Sequence, residues 1–306
     1  YLSSVRIAFV HVEAGAALNQ ALRKHPKVFD DLYCNLVASG EQSGSLDTML
    51  RRLADYQESM LKLRAKVKQA MIYPAAIVTF AIIVAIFMLW KIIPVFGGIY
   101  QELGAQLPGL TAAVLGLSNF VSDYIILIVV GLIAIVVLYR RWSKTPAGRE
   151  IVDRTKLKLP VMSNLMQKIS LSRFTRTLST LIGGGVPMLE SLKIASTTTD
   201  NVIIERQVLN ARQMVSEGKS LHDSLKQASQ DQFPAMMIQM VNVGESTGTL
   251  DEMLGKLANF FDDEVDNAVS SLLSALEPLV LIFVGGIVGT LVISMYLPLF
   301  NLIQQF

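Results

Sequence analysis

The sequence has little of what most catalytic or metal-binding sites require. Its 306 residues include one cysteine and three histidines. Cys34 alone can form neither an internal disulfide nor a cysteine-based metal site. His11, His25 and His222 are scattered without the spacing of metal ligands, and no Ser/His/Asp or Cys/His arrangement is readable. We therefore predict a non-enzymatic protein without a cofactor or a metal site.

Charge is scarce as well. Charged residues make up 17% of the chain, hydrophobic residues make up 52%, and the net charge is only +2. This charge is too small for a nucleic-acid partner, which needs a clustered basic surface. The apolar excess predicts contact with a lipid bilayer, and residues 72–93, 120–139 and 276–297 each supply the roughly 20 apolar residues that a span needs. The expected fold class is an all-α membrane protein with three transmembrane helices.

Lysine and arginine predict the orientation of these spans. Basic residues precede the first span and follow the second, whereas the stretch from Ile92 to Tyr139 contains none. Because basic residues are retained on the cytoplasmic side, residues 94–119 are expected to form a loop outside the cytoplasm. The same rule places the C-terminus, residues 298–306, on that outer face.

Two stretches of the chain are nearly identical. "GEQSGSLDTMLRRLA" begins at Gly40 and "GESTGTLDEMLGKLA" begins at Gly244, and the same offset pairs Pro74 with Pro278 and Pro94 with Pro298. The repeat predicts two homologous cytoplasmic helical-bundle domains, 1–71 and 140–275, each followed by a span, with 120–139 as the return crossing. Tyr1 aligns inside the second repeat, so we expect the first domain to be N-terminally truncated.

Each repeat also predicts one long helix. Nothing stops a helix from Ser45 through Ile93, which would be about 70 Å long at 1.5 Å per residue. Pro74 lies inside it and is expected to kink it near the inner interface. A rigid rod of this kind could carry rotation or tilt from a soluble domain across the membrane.

The repeated loops contain carboxylates whose role the sequence leaves open. The residues concerned are Gly40, Glu41, Gly44 and Leu46 in the first copy and Gly244, Glu245, Gly248 and Leu250 in the second. Paired acids suit general acid/base chemistry or a hard cation. Flanking glycines instead favour a tight helix–helix loop, and a partner contact is the third alternative. "EGKS" at Glu217–Ser220 lacks the earlier glycine of a phosphate-binding loop.

The edges of the spans carry prolines and polar side chains. Tyr73 precedes Pro74, Glu277 precedes Pro278, and Pro94 and Pro298 lie at the outer ends. An acid at the depth of Glu277 is a candidate functional residue; it lies either at headgroup level or in a polar contact that fixes helix packing.

The approaches to the first and third spans carry opposite charge. Acid beside an anionic inner leaflet is unfavourable unless it is neutralised. We predict that the two approaches pair, within one chain or between protomers, with solvated surface charge as the alternative. The residues concerned are Lys62, Arg64, Lys66 and Lys68 in the first approach and Asp262, Asp263, Glu264 and Asp266 in the second.

Several motifs together resemble the type II secretion system F-domain family. They are "KVKQAMIYP" at Lys66–Pro74, the paired "GExxGxL" loops, and "LSTLIGGGVPMLESL" at Leu178–Leu192; "MYLPLFNL" near the C-terminus is more similar to the type IV pilus branch. The resemblance implies an oligomeric, multi-pass platform protein of the bacterial inner (cytoplasmic) membrane, in which residues 94–119 and the C-terminus, 298–306, would be periplasmic. Its expected partners are a hexameric cytoplasmic assembly ATPase, pilin or pseudopilin subunits, other inner-membrane assembly proteins and further copies of itself.

Two alternative functions remain at this point. One is the equivalent platform of a type II secretion system, which exports proteins by means of a pseudopilus. The other is a small-solute transporter, because parallel repeats also occur in transporters. Three spans make a poor pathway, however, and the prolines fall at the span edges instead of at the midplane.

Overall fold

The computed structural model describes residues 12–13, 16–26, 28–102, 108–143, 145–156, 160–229 and 232–303, and all regular structure in these ranges is helical. Tyr1, His11, Lys144 and the C-terminus beyond residue 303 lie outside them. The helices are α1 (Leu18–Arg23), α2 (Asp31–Ser43), α3 (Leu46–Phe87), α4 (Ile93–Glu102), α5 (Gly109–Trp142), α6 (Pro146–Lys156), α7 (Pro160–Gly183), α8 (Met188–Thr198), α9 (Val202–Ser216), α10 (Leu221–Ala228), α11 (Ala235–Thr247) and α12 (Leu250–Ile303), with a π-helical turn, Met88–Ile92, between α3 and α4.

The all-α prediction is confirmed. Three helical stretches among the described residues are long and apolar enough to cross a membrane, namely Leu46–Tyr100, Gly109–Trp142 and Leu250–Pro298. They contain the three spans expected from the sequence. The chain divides into two compact units, one formed by residues 1–66 with 149–269 and the other by residues 67–148 with 270–306.

The first unit contains the larger core. Its centre is an apolar cluster in which Phe174 and Leu178 of α7 pack against side chains from α8 to α12. The rings of Phe174 and Phe233 stack with their centroids 6.3 Å apart. A second cluster joins α2 and α3 to the end of α7 and to α8, so both parts of this unit share buried apolar surface. Such burial contributes about 25 cal/mol per Å² and is the main stabilising term.

Local capping sets the helix boundaries in this unit. The side chain of Asn201 accepts hydrogen bonds from the N–H groups of Ile203 and Ile204, and Ser220 accepts one from Asp223 at 3.0 Å. Each oxygen satisfies an N–H group that the first helical turn leaves without a partner. Asn201 and Ser220 are both residue types that favour the N-cap position.

The second unit contains the candidate spans, which pack at one end through apolar and polar contacts. Ile93, Val114 and Leu291 form a small buried cluster. The hydroxyl of Thr111 donates to the carbonyl of Ser294 at 2.8 Å, and the hydroxyl of Tyr100 donates to the carbonyl of Met295. These side chains satisfy their own polar groups on a neighbouring helix, as a dry environment requires.

The π-helical turn creates an acceptor that a third hydroxyl uses. The N–H of Ile93 donates to the carbonyl of Met88, five residues earlier. By the same pattern the carbonyl of Leu89 would pair with residue 94, but Pro94 has no N–H to donate. The hydroxyl of Ser118, on α5, donates to the Leu89 carbonyl instead.

The expectation that residues 94–119 form a loop was wrong for most of that segment. Helix α4 continues to Glu102, residues 103–107 lie outside the described ranges, and α5 already begins at Gly109. The helix survives Pro94 because the π-helical turn absorbs the missing donor, and packing favours its continuation: Tyr100 is only 1% exposed. Pro74, Pro278 and Pro298 likewise lie inside helices.

Candidate functional site

The first repeated loop is a tight helix–helix junction that depends on two glycines. Gly44 ends α2 with a φ of +68°, in the left-handed region that favours glycine. Gly40 allows α2 and α3 to approach closely, since a Cβ atom there would lie 3.0 Å from the Cα of Leu46. The N–H of Ser45 then bonds to the Gly40 carbonyl at 3.0 Å.

Glu41 caps a different helix. Its carboxylate accepts hydrogen bonds from the N–H groups of Leu18, at 2.6 Å, and Asn19, at 3.1 Å. These groups begin α1, whose own N-cap residue, Ala17, has no side-chain acceptor. A carboxylate at a helix N-terminus satisfies free donors and also interacts favourably with the helix dipole. Glu41 therefore ties the loop to α1.

The second loop has the same geometry. Gly248 ends α11 with a φ of +72°, and a Cβ on Gly244 would lie 2.9 Å from the Cα of Leu250. Glu245 accepts hydrogen bonds from the N–H groups of Leu221, at 2.7 Å, and His222, at 3.0 Å, which begin α10. In both loops the arrangement is that of a structural junction, with both carboxylate oxygens occupied by backbone donors.

No group of metal-ligating side chains is found among the residues that the structure describes. Cys34 is 1% exposed, and burial raises the pKa of its thiol, so it remains protonated near neutral pH. The arrangement around the two glutamates supports neither acid/base chemistry nor cation binding. Of the alternatives left open by the sequence, a structural junction and a partner contact remain for Glu41 and Glu245.

The triple glycine of the sequence motif lies against the first loop. The hydroxyl of Ser39, on α2, donates to the carbonyl of Gly184. A Cβ on Gly184 would lie 2.6 Å from Leu36, and Gly185 has a φ of +76°. On either side of these glycines, Leu181 and Val186 belong to the second apolar cluster, together with side chains of α2 and α3. The glycines are therefore required for the close packing of α7 on α2.

The predicted charge pairing is found at one pair of residues. Lys66 and Asp266 form an ion pair at 2.6 Å, with about half of each side chain exposed. Lys62 instead pairs with Glu58 at 2.6 Å. Arg64 lines a cleft of about 410 Å³. Lys68 and Asp263 are exposed.

Two further acids have cationic partners that the sequence reasoning missed. Glu264 pairs with Lys168 and Asp262 pairs with Arg176, both on α7. Ser172, between them on the same helix face, donates to Asp262. Lys168, Ser172 and Arg176 recur every four residues along α7, which places them on one face. That polar stripe was the available signal for an acidic partner.

Glu277 and Tyr73, at the repeat-equivalent span edges, line one groove in the second unit together with Pro74. Pro278 follows in α12, one residue from the groove wall. The structure thus brings the two span-edge side chains into the same cavity, whereas Pro94 and Pro298 belong to the opposite end of the spans.

Comparison with known proteins places these features in one family. The family model for type II secretion system (T2SS) protein F matches residues 4–94 and 174–298. Type IV pilus assembly protein PilC of Thermus thermophilus is 44% identical over 95% of this chain and 71% of its own length. PilC of Myxococcus xanthus is 41% identical over 95% and 69%, and type II secretion system protein F of Vibrio cholerae is 35% identical over 95% and 71%. The chain belongs to the type II secretion system protein F family.

Proposed function

We propose that this chain is the inner-membrane platform of a type IV pilus assembly machine, and that it couples a cytoplasmic assembly ATPase to the extraction of pilin subunits into the fibre. The observation that carries the pilus assignment is the identity to named relatives. Pilus assembly proteins PilC are 41% and 44% identical in two organisms, whereas the type II secretion proteins F of Vibrio cholerae and Pseudomonas aeruginosa are 35% and 34% identical.

The orientation is part of the proposal. Lysine and arginine are concentrated before the first span and after the second, and they are absent between Ile92 and Tyr139. This asymmetry supports cytoplasmic domains at 1–71 and 140–275 and a periplasmic C-terminus. Fusion of alkaline phosphatase or green fluorescent protein after residue 143 and after residue 306 tests it. Fluorescence at the first position and phosphatase activity at the second are expected; the reverse pattern contradicts it.

Two continuous helices support mechanical coupling. Helix α3 runs for 42 residues and α12 for 54. Each contains residues of the first unit, which we propose to be the soluble unit, and residues of a span. A helix without a break transmits displacement of one end to the other, whereas a flexible linker dissipates it. We infer that ATPase movement at the soluble unit reaches the pilin through α3 and α12.

Insertion of a flexible Gly-Ser-Gly-Ser segment after Lys68 tests this coupling. We expect the variant to lose pilus assembly while it still co-purifies with the ATPase. The same insertion after Ser143, where the helical structure already ends, is the matched control and should retain most assembly. Equal loss at both positions, or retention at both, contradicts the coupling.

The second candidate is the platform of a type II secretion system, which the relative from Vibrio cholerae favours. Complementation separates the two. The chain, expressed in strains that lack either platform, should restore pili and leave protein secretion defective. Restored secretion without pili would reverse the assignment. Co-purification of the full chain with the assembly ATPase, with pilin and with a second, differently tagged copy tests the proposed partners and the proposed homo-oligomer.

A further inference from the structure

We propose that the groove between α3 and α12 is a binding site for one phospholipid with an ammonium headgroup, of the phosphatidylethanolamine class, in the leaflet next to the soluble unit. The groove has a volume of about 480 Å³. Its walls come from the same positions of the two repeats: Tyr73 of α3 corresponds to Glu277 of α12, and Ile77 corresponds to Leu281.

The polarity of the groove follows that of a lipid. Gln69 and Ser274 line the end nearest the soluble unit and can donate hydrogen bonds to phosphate oxygens. Glu277 and Tyr73 follow, about one helical turn further along. Beyond them the lining is apolar, formed by Ile77, Val280, Leu281 and Val284. These four polar side chains together form the headgroup end of the groove, with donors for the phosphate and a carboxylate for the ammonium, and the apolar lining meets the acyl chain.

The apolar part of the groove extends over most of one leaflet. From Glu277 to Val284 the α12 wall extends about 10 Å, at 1.5 Å per residue, whereas one leaflet contributes about 15 Å of hydrocarbon. The groove would thus line an acyl chain over about two thirds of the leaflet.

The headgroup charge is selected by Glu277. This carboxylate is exposed to the groove and has neither an ion pair nor a hydrogen bond with another residue that the structure describes. A carboxylate at a span edge is unfavourable unless a cation neutralises it. A primary ammonium group supplies a charge and up to three donors, whereas an anionic phosphatidylglycerol headgroup would add like charge.

The volume of about 480 Å³ suits a headgroup and the first part of one acyl chain, with the rest of the lipid in the bilayer. The groove is within the range of about 300–1,000 Å³ that is usual for small-molecule sites. The spans contact each other through the Ile93, Val114 and Leu291 cluster at their other end, which leaves this end open to lipid.

Native mass spectrometry of the full chain in detergent tests the site with two probes, palmitoyl-oleoyl phosphatidylethanolamine and palmitoyl-oleoyl phosphatidylglycerol. The wild type should retain one phosphatidylethanolamine in preference. Glu277→Gln should reduce that preference at least about tenfold, the scale of a charge-assisted hydrogen bond. Glu277→Lys should reverse the preference, and Val284→Trp should reduce retention of both lipids. Asp123→Asn, at another span carboxylate outside the groove, is the matched control and should change nothing.

Site-specific crosslinking locates the occupant independently of lipid retention. A diazirine amino acid at position 73, in nanodiscs and in native membranes, should label phosphatidylethanolamine. Equal retention of the two lipids by the wild type, an unchanged preference in Glu277→Gln, or crosslinks to a protein segment instead of lipid would each overturn the proposal. Because the site depends on the groove and not on the ATPase or on pilin, its failure would leave the proposed platform function unaffected.

Discussion

Removal of the Glu245 carboxylate should destabilise the first unit by an amount that can be calculated and measured. In Glu245→Ala the N–H groups of Leu221 and His222 lose acceptors at 2.7 and 3.0 Å. The hydrogen bond from Leu221 is partly buried and the one from His222 is exposed, so water can replace only part of the loss. Loss of a helix cap costs about 0.5–2 kcal/mol, and we expect about 1.5 kcal/mol.

The assay is thermal unfolding of the full chain in detergent, followed by circular dichroism at 222 nm. For a domain of 150–250 residues, 1 kcal/mol corresponds to about 2–4 °C, so the melting temperature should fall by about 3–6 °C. Glu245→Gln should give an intermediate fall, because the amide presents one acceptor and one donor to two donors. Glu41→Ala should repeat the effect at α1.

Glu252→Ala is the matched control. Its carboxylate is also exposed and one loop away, but its partner is Lys256 at 2.7 Å, an exposed pair worth at most about 1 kcal/mol. Equal melting temperatures for Glu245→Ala and Glu252→Ala would refute the cap and return Glu245 to the class of partner-contact residues. A fall in ATPase binding without a fall in melting temperature would have the same meaning.

The remaining predictions concern packing and charge, and the same melting assay measures them. Gly244→Ala should destabilise by about 1–3 kcal/mol, since the new methyl group must displace helix backbone; a neutral result would contradict the tight junction. Arg176→Leu should destabilise because it leaves the partly buried Asp262 carboxylate without its cation, and adding Asp262→Leu should recover most of the loss. The double exchange Lys66→Asp with Asp266→Lys should restore the stability that either change alone removes, with a coupling energy below about 1 kcal/mol. A larger coupling energy would contradict the assignment of this pair as an exposed, weak ion pair.

Local rules predicted much of the fold. Three apolar stretches of sufficient length became helices, and Asn201 and Ser220 cap the helices that follow them, because these properties depend on neighbouring residues alone. The repeat was visible in the sequence because each loop needs two glycines. The first allows the two helices to approach closely, and the second adopts a left-handed conformation at the end of the helix.

The features that the sequence did not predict all depend on contacts between residues far apart in the chain. A glutamate between two glycines does not reveal that its acceptors serve a helix more than twenty residues earlier, although the non-capping Ala17 was a hint. Two acids of α12, Asp262 and Glu264, pair with α7, since two helices brought together by an apolar core determine which charges meet. Hydropathy alone ended the first span at its proline and gave no sign of the π-helical turn.

The π-helical turn at Met88–Ile92 acts as a register shift in the first span. The turn holds one more residue than the same length of a regular α-helix. Every later side chain is therefore rotated by about 100° relative to an unbroken α-helix. That rotation is what points Ile93 and Tyr100 toward their neighbours. Deletion of one residue from the turn would return this segment to α-helical register and swing the outer face of the span away from the other two helices. The proline would still leave one carbonyl without a helical donor, but that carbonyl would no longer face Ser118. The irregular turn, more than the apolar sequence around it, therefore determines which face of this helix is exposed to lipid.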